Sequence, residues 1–131
     1  MSEKALSNNR KTARVHITLR GKGQSIYISK DAIRLIGTPR YITLRVNSAM
    51  DSLLIEESLE NNRLSFKVPD DLYSNRNSKM QIASKSFVSG MMTSNALDPD
   101  ETYIVEGMYS ERNNAIVFSV KDARIYREGC T

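Results

Sequence analysis

The spacing of apolar residues changes period along this chain, and each change marks an element. Arg14-Val15-His16-Ile17-Thr18-Leu19-Arg20 alternates, with Val15, Ile17 and Leu19 on one face, the period of a half-buried strand. Gly21-Lys22-Gly23 supplies turn chemistry, and Ser25 to Ile28 reads as the returning strand. From Lys30 the apolar residues fall at 32, 33, 35 and 36. That spacing predicts a short buried helix, with Ser29 as its N-cap, Gly37 as its stop and Pro39 preventing resumption. Tyr41 to Val46 alternates again, 47–52 reads as a turn, and Leu53 to Glu57 as the partner strand.

The same order follows a second time. Leu64 to Val68 alternates, and a polar connection runs through Pro69-Asp70-Asp71 and Ser74 to Ser78 to a strand at Lys79–Ala83. Ser84 caps a helix whose stripe is Phe87, Val88, Met91 and Met92. Ser94 to Asp100 closes it, with Pro99 in the place of Pro39. Thr102 to Tyr109 and Ala115 to Val120 form a hairpin around Glu111-Arg112-Asn113-Asn114. A gapless alignment lays YIVEGMYSERNNAIVFSV from Tyr103 over YITLRVNSAMDSLLIEES from Tyr41, with Ser110 over Ser48. A repeat of this size is one supersecondary unit used twice. One unit of about 45 residues is too small to bury a stable core, so two must share one. The expected fold is α+β and mostly β: two tandem β-β-α-β-β units around one core, a pseudo-dimer barrel. Residues 1–12 read as a flexible basic arm, 13–58 as the first unit, 63–120 as the second, and 121–131 as a polar tail. Met80, Met91, Met92 and Met108 read as core filling in the second unit.

Composition adds a class and a compartment. A chain of 131 residues with 40% hydrophobic and 26% charged residues suits a globular protein. No apolar run reaches the roughly 20 residues of a membrane span, and the polar N-terminal stretch lacks the apolar segment of a secretion signal. The one cysteine, Cys130, has no internal partner, and the expected home is a reducing cytoplasm.

Charge changes the picture more. The net charge of +4 hides a gradient: ten Lys/Arg against two Asp/Glu up to residue 46, nine against thirteen beyond it. Between residues 13 and 46 seven cations, Arg14, Arg20, Lys22, Lys30, Arg34, Arg40 and Arg45, face only Asp31. Such a patch is the electrostatic footprint of a nucleic-acid binder. Arg20 and Lys22 bracket a glycine turn that can approach a phosphate backbone, Lys30 suits a phosphate, and Arg34 on an exposed helix face can reach a base edge. Lys4, Arg10 and Lys11 in the arm would add salt-sensitive affinity. The competing reading is a set of solvated charges. From residue 63 onward nine bases meet nine acids, so the second unit reads as structural or protein-binding.

The stretch GQSIYISKDAIRLIGTPRYITLRV followed by LLIEES, Gly23 to Ser58, resembles the swapped-hairpin DNA-binding domain of the AbrB, SpoVT and MazE superfamily. Lys30, Ile33, Arg34, Leu35 and Gly37 stand where that family has its basic and apolar helix positions. Leu97-Asp98-Pro99-Asp100-Glu101 is similar to the family's turn before its third strand. Ser29 stands where the family usually has Pro, and Arg40-Tyr41 where it has Gly-Asp. The resemblance implies a core of two intertwined units and a basic surface that meets duplex DNA. Family members usually build this from two chains, and this chain would do so alone.

Chemistry of other kinds finds little support. No Cys/His cluster has zinc-ligand spacing, and Gly21-Lys22-Gly23 is too short for a nucleotide-binding loop. Capping accounts for Ser29-Lys30 and Ser84-Lys85 better than a nucleophile pair does. His16 reads as an exposed strand residue, and Asp98, Asp100 and Glu101 as a turn rather than a cation site. No enzyme activity, cofactor or metal is expected. The expected function is that of a small bacterial or phage DNA-binding transcriptional regulator. The alternative is a non-catalytic protein-interaction module, antitoxin-like or inhibitor-like. A monomer and a homodimer both remain open.

Overall fold

A computed structural model describes residues 12–59, 65–74 and 79–126. Its elements are β1 (Thr12–Arg20), β2 (Ser25–Ser29), α1 (Lys30–Leu35), β3 (Tyr41–Val46), β4 (Ser52–Ser58), β5 (Ser65–Lys67), β6 (Lys79–Ala83), α2 (Lys85–Ser94), β7 (Thr102–Ser110), β8 (Ala115–Ser119), a 3-10 turn (Val120–Asp122) and β9 (Arg124–Ile125). The N-terminal arm up to Lys11, with Lys4, Arg10 and Lys11, lies outside the described residues, as do Leu64 and 75–78 of the expected connection. Part of the expected tail joins the sheet: β9 pairs with β7, Ile125 opposite Tyr103, and the Tyr126 amide donates to the Thr102 carbonyl at 2.7 Å.

All strands pair antiparallel in one sheet of order β5-β3-β4-β8-β7-β1-β2-β6, which curls into a nearly closed barrel. The alternation read from the sequence explains the curl. Ile17 and Leu19 of β1, Ile26 and Ile28 of β2, Ile42 and Leu44 of β3, Leu53 and Ile55 of β4, Met80 and Ile82 of β6, and Ile116 and Phe118 of β8 all point inward and are buried. Each fully buried side chain of this size contributes roughly 1.5–3 kcal/mol. The buried residues of both halves form one cluster.

Two pairings exchange strands between the halves. β1 runs beside β7, from Thr12 opposite Ser110 to Arg20 opposite Thr102. β5 of the second half runs beside β3 of the first. β2 pairs with β6, and β4 with β8. The two hairpins share a register: Leu44 opposite Ile55 corresponds to Gly107 opposite Phe118, and Arg45 opposite Leu54 to Met108 opposite Val117. That register corrects the gapless alignment of the sequence. Tyr41 is half-buried on the outer side and Ile42 is buried, whereas Tyr103 is buried and Ile104 half-buried on the outer side. The repeated Tyr-Ile pairs are therefore out of step by one residue, which in a strand reverses every side chain. Ile42 corresponds to Val105 inside the barrel.

The helices occupy opposite ends of the barrel, as antiparallel pairing of β2 and β6 requires. α1 leaves from Ser29, opposite Lys79, and α2 follows Ala83, opposite Ser25. Both N-caps form as expected, Ser29 Oγ accepting from the Ala32 amide at 3.2 Å and Ser84 Oγ from the Phe87 amide at 3.4 Å. α1 stops at Gly37, whose φ of +106° suits glycine. Beyond it the Asn114 amide group donates to the Ile36 carbonyl at 3.1 Å and accepts from Tyr109 at 3.0 Å, tying the β7–β8 turn to α1. At the other end Asn95 donates to the Met50 carbonyl at 2.9 Å, tying the β3–β4 turn to α2. Gly21 is needed for close approach: a Cβ there would lie 2.1 Å from the Pro99 carbonyl oxygen.

Candidate functional site

The outer face of the barrel divides by charge. β1, β2 and β6 are neighbours in the sheet and carry Arg14, His16, Arg20 and Lys79 without a single carboxylate. β4, β8 and β7 are also neighbours and carry Glu56 and Glu106 on their outer side without a Lys or Arg. Lys30 and Lys85 begin the two helices at opposite ends of the β2–β6 pair. The boundary between basic and acidic surface thus follows sectors of the barrel rather than halves of the chain.

The seven cations singled out in the sequence are spread by this geometry. Arg14 and Arg20 stand on the outer side of β1, and Lys22 lies in the β1–β2 turn at the α2 end. Lys30 and Arg34 belong to α1 at the opposite end, with Arg40 on the segment that follows, its carbonyl accepting from the Val68 amide at 2.8 Å. Arg45 is on β3, 3.1 Å from Glu56. Arg34 lies 3.6 Å from Asp31 and its guanidinium sits 5.3 Å above the Tyr73 ring. The Tyr73 hydroxyl is buried without a hydrogen-bond partner, and burial pushes its pKa up, with Arg34 pulling weakly the other way. Ion pairs this exposed contribute little to stability, about 0–1 kcal/mol each, so their cations stay available for an anion.

The centre of the basic wall is a cluster that the sequence reading left out. Arg20 donates to the Tyr27 hydroxyl at 2.8 Å and lies 5.6 Å from the ring centroid, and Lys79 Nζ lies 4.5 Å from the same centroid. Tyr27 therefore fixes two long cationic side chains, one from each half of the chain, against a single aromatic ring. The signal for Lys79 was the repeat: if the halves meet through β2 and β6, Lys79 stands opposite Ser29. Beside the cluster a groove of about 620 Å³ opens over Thr18 and Ile104, with His16, Arg20, Tyr27 and Lys79 toward one side and Asp100, Glu101 and Tyr126 toward the other.

The opposite wall has a different chemistry. Arg45, Leu54, Val117, Met108 and Arg14 stand opposite one another in register across β3, β4, β8, β7 and β1. Met108 and Val117 are 44% and 47% exposed, so Met108 is a surface residue and not the core filler expected from its spacing. The other three methionines of that group, Met80, Met91 and Met92, are buried.

Among the described residues no three His, Cys, Asp or Glu side chains converge on a point that could hold a metal ion, and no helix is long and apolar enough to cross a membrane. No protein-family model, curated protein or solved structure matches the chain.

Proposed function

We propose that this barrel is a non-catalytic DNA-binding module of the swapped-hairpin kind, and that a bacterial or phage transcriptional regulator is the role it serves. The fold reading is supported by the exchange of β1 and β5 between the halves, which makes each half incomplete alone. The observation that carries the DNA reading is the carboxylate-free wall of β1, β2 and β6, bounded by Lys30 and Lys85. Its contact set is Arg20, Lys22, Lys30, Lys79 and Lys85, with Arg34 and Arg40 extending it at the α1 end and Arg14 at its border with the opposite wall, beside Met108. Arg45 falls outside the set because it stands on β3, which is not a strand of this wall. Phosphate contacts of this kind supply salt-sensitive, largely sequence-independent affinity.

The test is fluorescence anisotropy of a labelled duplex titrated between 50 and 200 mM salt. Affinity falls steeply with salt, and Arg20→Ala and Lys79→Ala each lower the slope of log affinity against log salt by about 1. Absence of duplex binding at the lowest salt would reject the reading. A protein-binding role is favoured by one observation, the row of half-buried Leu54 and exposed Val117 and Met108 on the opposite wall. A pull-down that recovers one stoichiometric protein, sensitive to Val117→Lys, would support it.

A further inference from the structure

The groove beside Tyr27 has an asymmetry that a purely phosphate-binding surface does not need. One side offers the guanidinium of Arg20 and the ammonium of Lys79, both held by the Tyr27 ring. The other side offers the carboxylates of exposed Asp100 and half-buried Glu101 as hydrogen-bond acceptors, at the entrance to β7. Repulsion of phosphate by these carboxylates lowers non-specific affinity, so a surface serving the DNA backbone alone gains nothing from them. Between the two sides the floor is apolar at Ile104, and Tyr126, 48% exposed, stands at the rim with its backbone pinned to Thr102. An exposed aromatic ring carried on an anchored backbone is a stacking platform for a base. The volume, about 620 Å³, lies in the range of small-ligand pockets, roughly 300–1,000 Å³.

We infer that this groove holds one unpaired base of single-stranded DNA, stacked on Tyr126, its donor edge on Asp100 and Glu101 and its phosphate on Arg20 and Lys79. Carboxylates accept but do not donate, so they select a base whose exposed edge presents N–H groups. Guanine, with a ring N–H and an amino group side by side, fits two acceptors; thymine, with one ring N–H between two carbonyls, does not. In a duplex that edge is paired, which is why the base must be unpaired. The inference rests on the reading of the β1–β2–β6 wall as a nucleic-acid surface and deepens it by assigning the mixed-charge groove to base recognition.

The experiment compares anisotropy titrations of two labelled nonamers, thymine throughout or with one central guanine, for the full chain and its variants, each verified by its thermal melt. The wild-type chain binds the guanine-containing strand about ten-fold more tightly. The Asp100→Asn, Glu101→Gln double variant binds both strands with a ratio near one and binds the all-thymine strand more tightly than wild type does. Tyr126→Ala weakens both strands about ten-fold, the size expected for a lost base stack. Equal wild-type affinity for the two strands beside salt-sensitive duplex binding would remove the base pocket and leave the wall. Retention of the guanine preference in the double variant would also overturn the assignment. Loss of binding to every nucleic acid tested would remove both readings.

Discussion

The two walls of the barrel have the same lining and opposite exteriors. Behind β2 and β6 lie Ile26, Ile28, Met80 and Ile82; behind β4 and β8 lie Leu53, Ile55, Ile116 and Phe118. Outside, the first wall is cationic around Tyr27, and the second is apolar around Met108 and Val117, with Glu56 and Glu106 paired to Arg45 and Arg124. Alternate residues of a strand answer to different demands. Inward positions must fill one core, while outward positions are free to diverge. Each wall is assembled from both halves of the chain, so the contrast in surface chemistry follows the sheet order and not the halves.

The comparison can be broken most directly from inside. Phe118→Ala costs about 3–5 kcal/mol and Ile28→Ala about 2–5 kcal/mol, measured by urea titration, and neither changes DNA affinity where the variant is folded. A tolerant position under either wall would mean that the core is not shared. Gly107→Ala is smaller, about 1–3 kcal/mol of overpacking, because a Cβ there would lie 2.4 Å from the Phe118 ring. The matching position in the first hairpin is Leu44, opposite the smaller Ile55. Introducing Leu at 107 together with Phe118→Ile should therefore recover stability lost by either change alone. On the surface, Arg45→Ala costs about 0.2–1 kcal/mol through its Glu56 pair and leaves duplex affinity unchanged, in contrast to Arg20→Ala. The smallest effect is alkaline. Burial raises the pKa of Tyr73 and of Tyr109, with Glu111 adding to the shift of the latter. A raised folded pKa means that the neutral phenol is favoured in the fold. That stability is complete below the ordinary tyrosine value of about 10 and is lost as pH rises through the raised values. Tyr109→Phe flattens the loss in a pH-dependent melt.

The elements were legible because period and punctuation agreed. Tyr41–Val46 and Lys79–Ala83 were bounded by turn residues and have the expected limits, and Ser29, Gly37 and Ser84 mark helix ends through local chemistry. The one-residue slip of the repeat was not legible, since Tyr-Ile at 41 and at 103 are identical as letters and differ only in which neighbour they oppose. The candidate cations were found one half at a time. Their grouping depends on sheet order, a long-range property, so the approach of Lys79 to Tyr27 and of Arg45 to Glu56 cannot be read from spacing along the chain. Met108 misled because spacing along a strand tells which residues share a face, and not which face is inside.

The ladder of β1 on β7 has a further consequence. The first strand of the described residues is paired along its whole length with one that lies most of the chain away, so loop closure precedes most of the reward for folding. Neither half can satisfy its own edges. If the chain is severed between β4 and β5 and the pieces are produced apart, each should remain unfolded and aggregation-prone, and mixing them should restore the barrel as a tight two-chain complex. Recovery of the barrel from the two pieces would give its inter-half strand pairs the role of a subunit interface joined by a peptide bond.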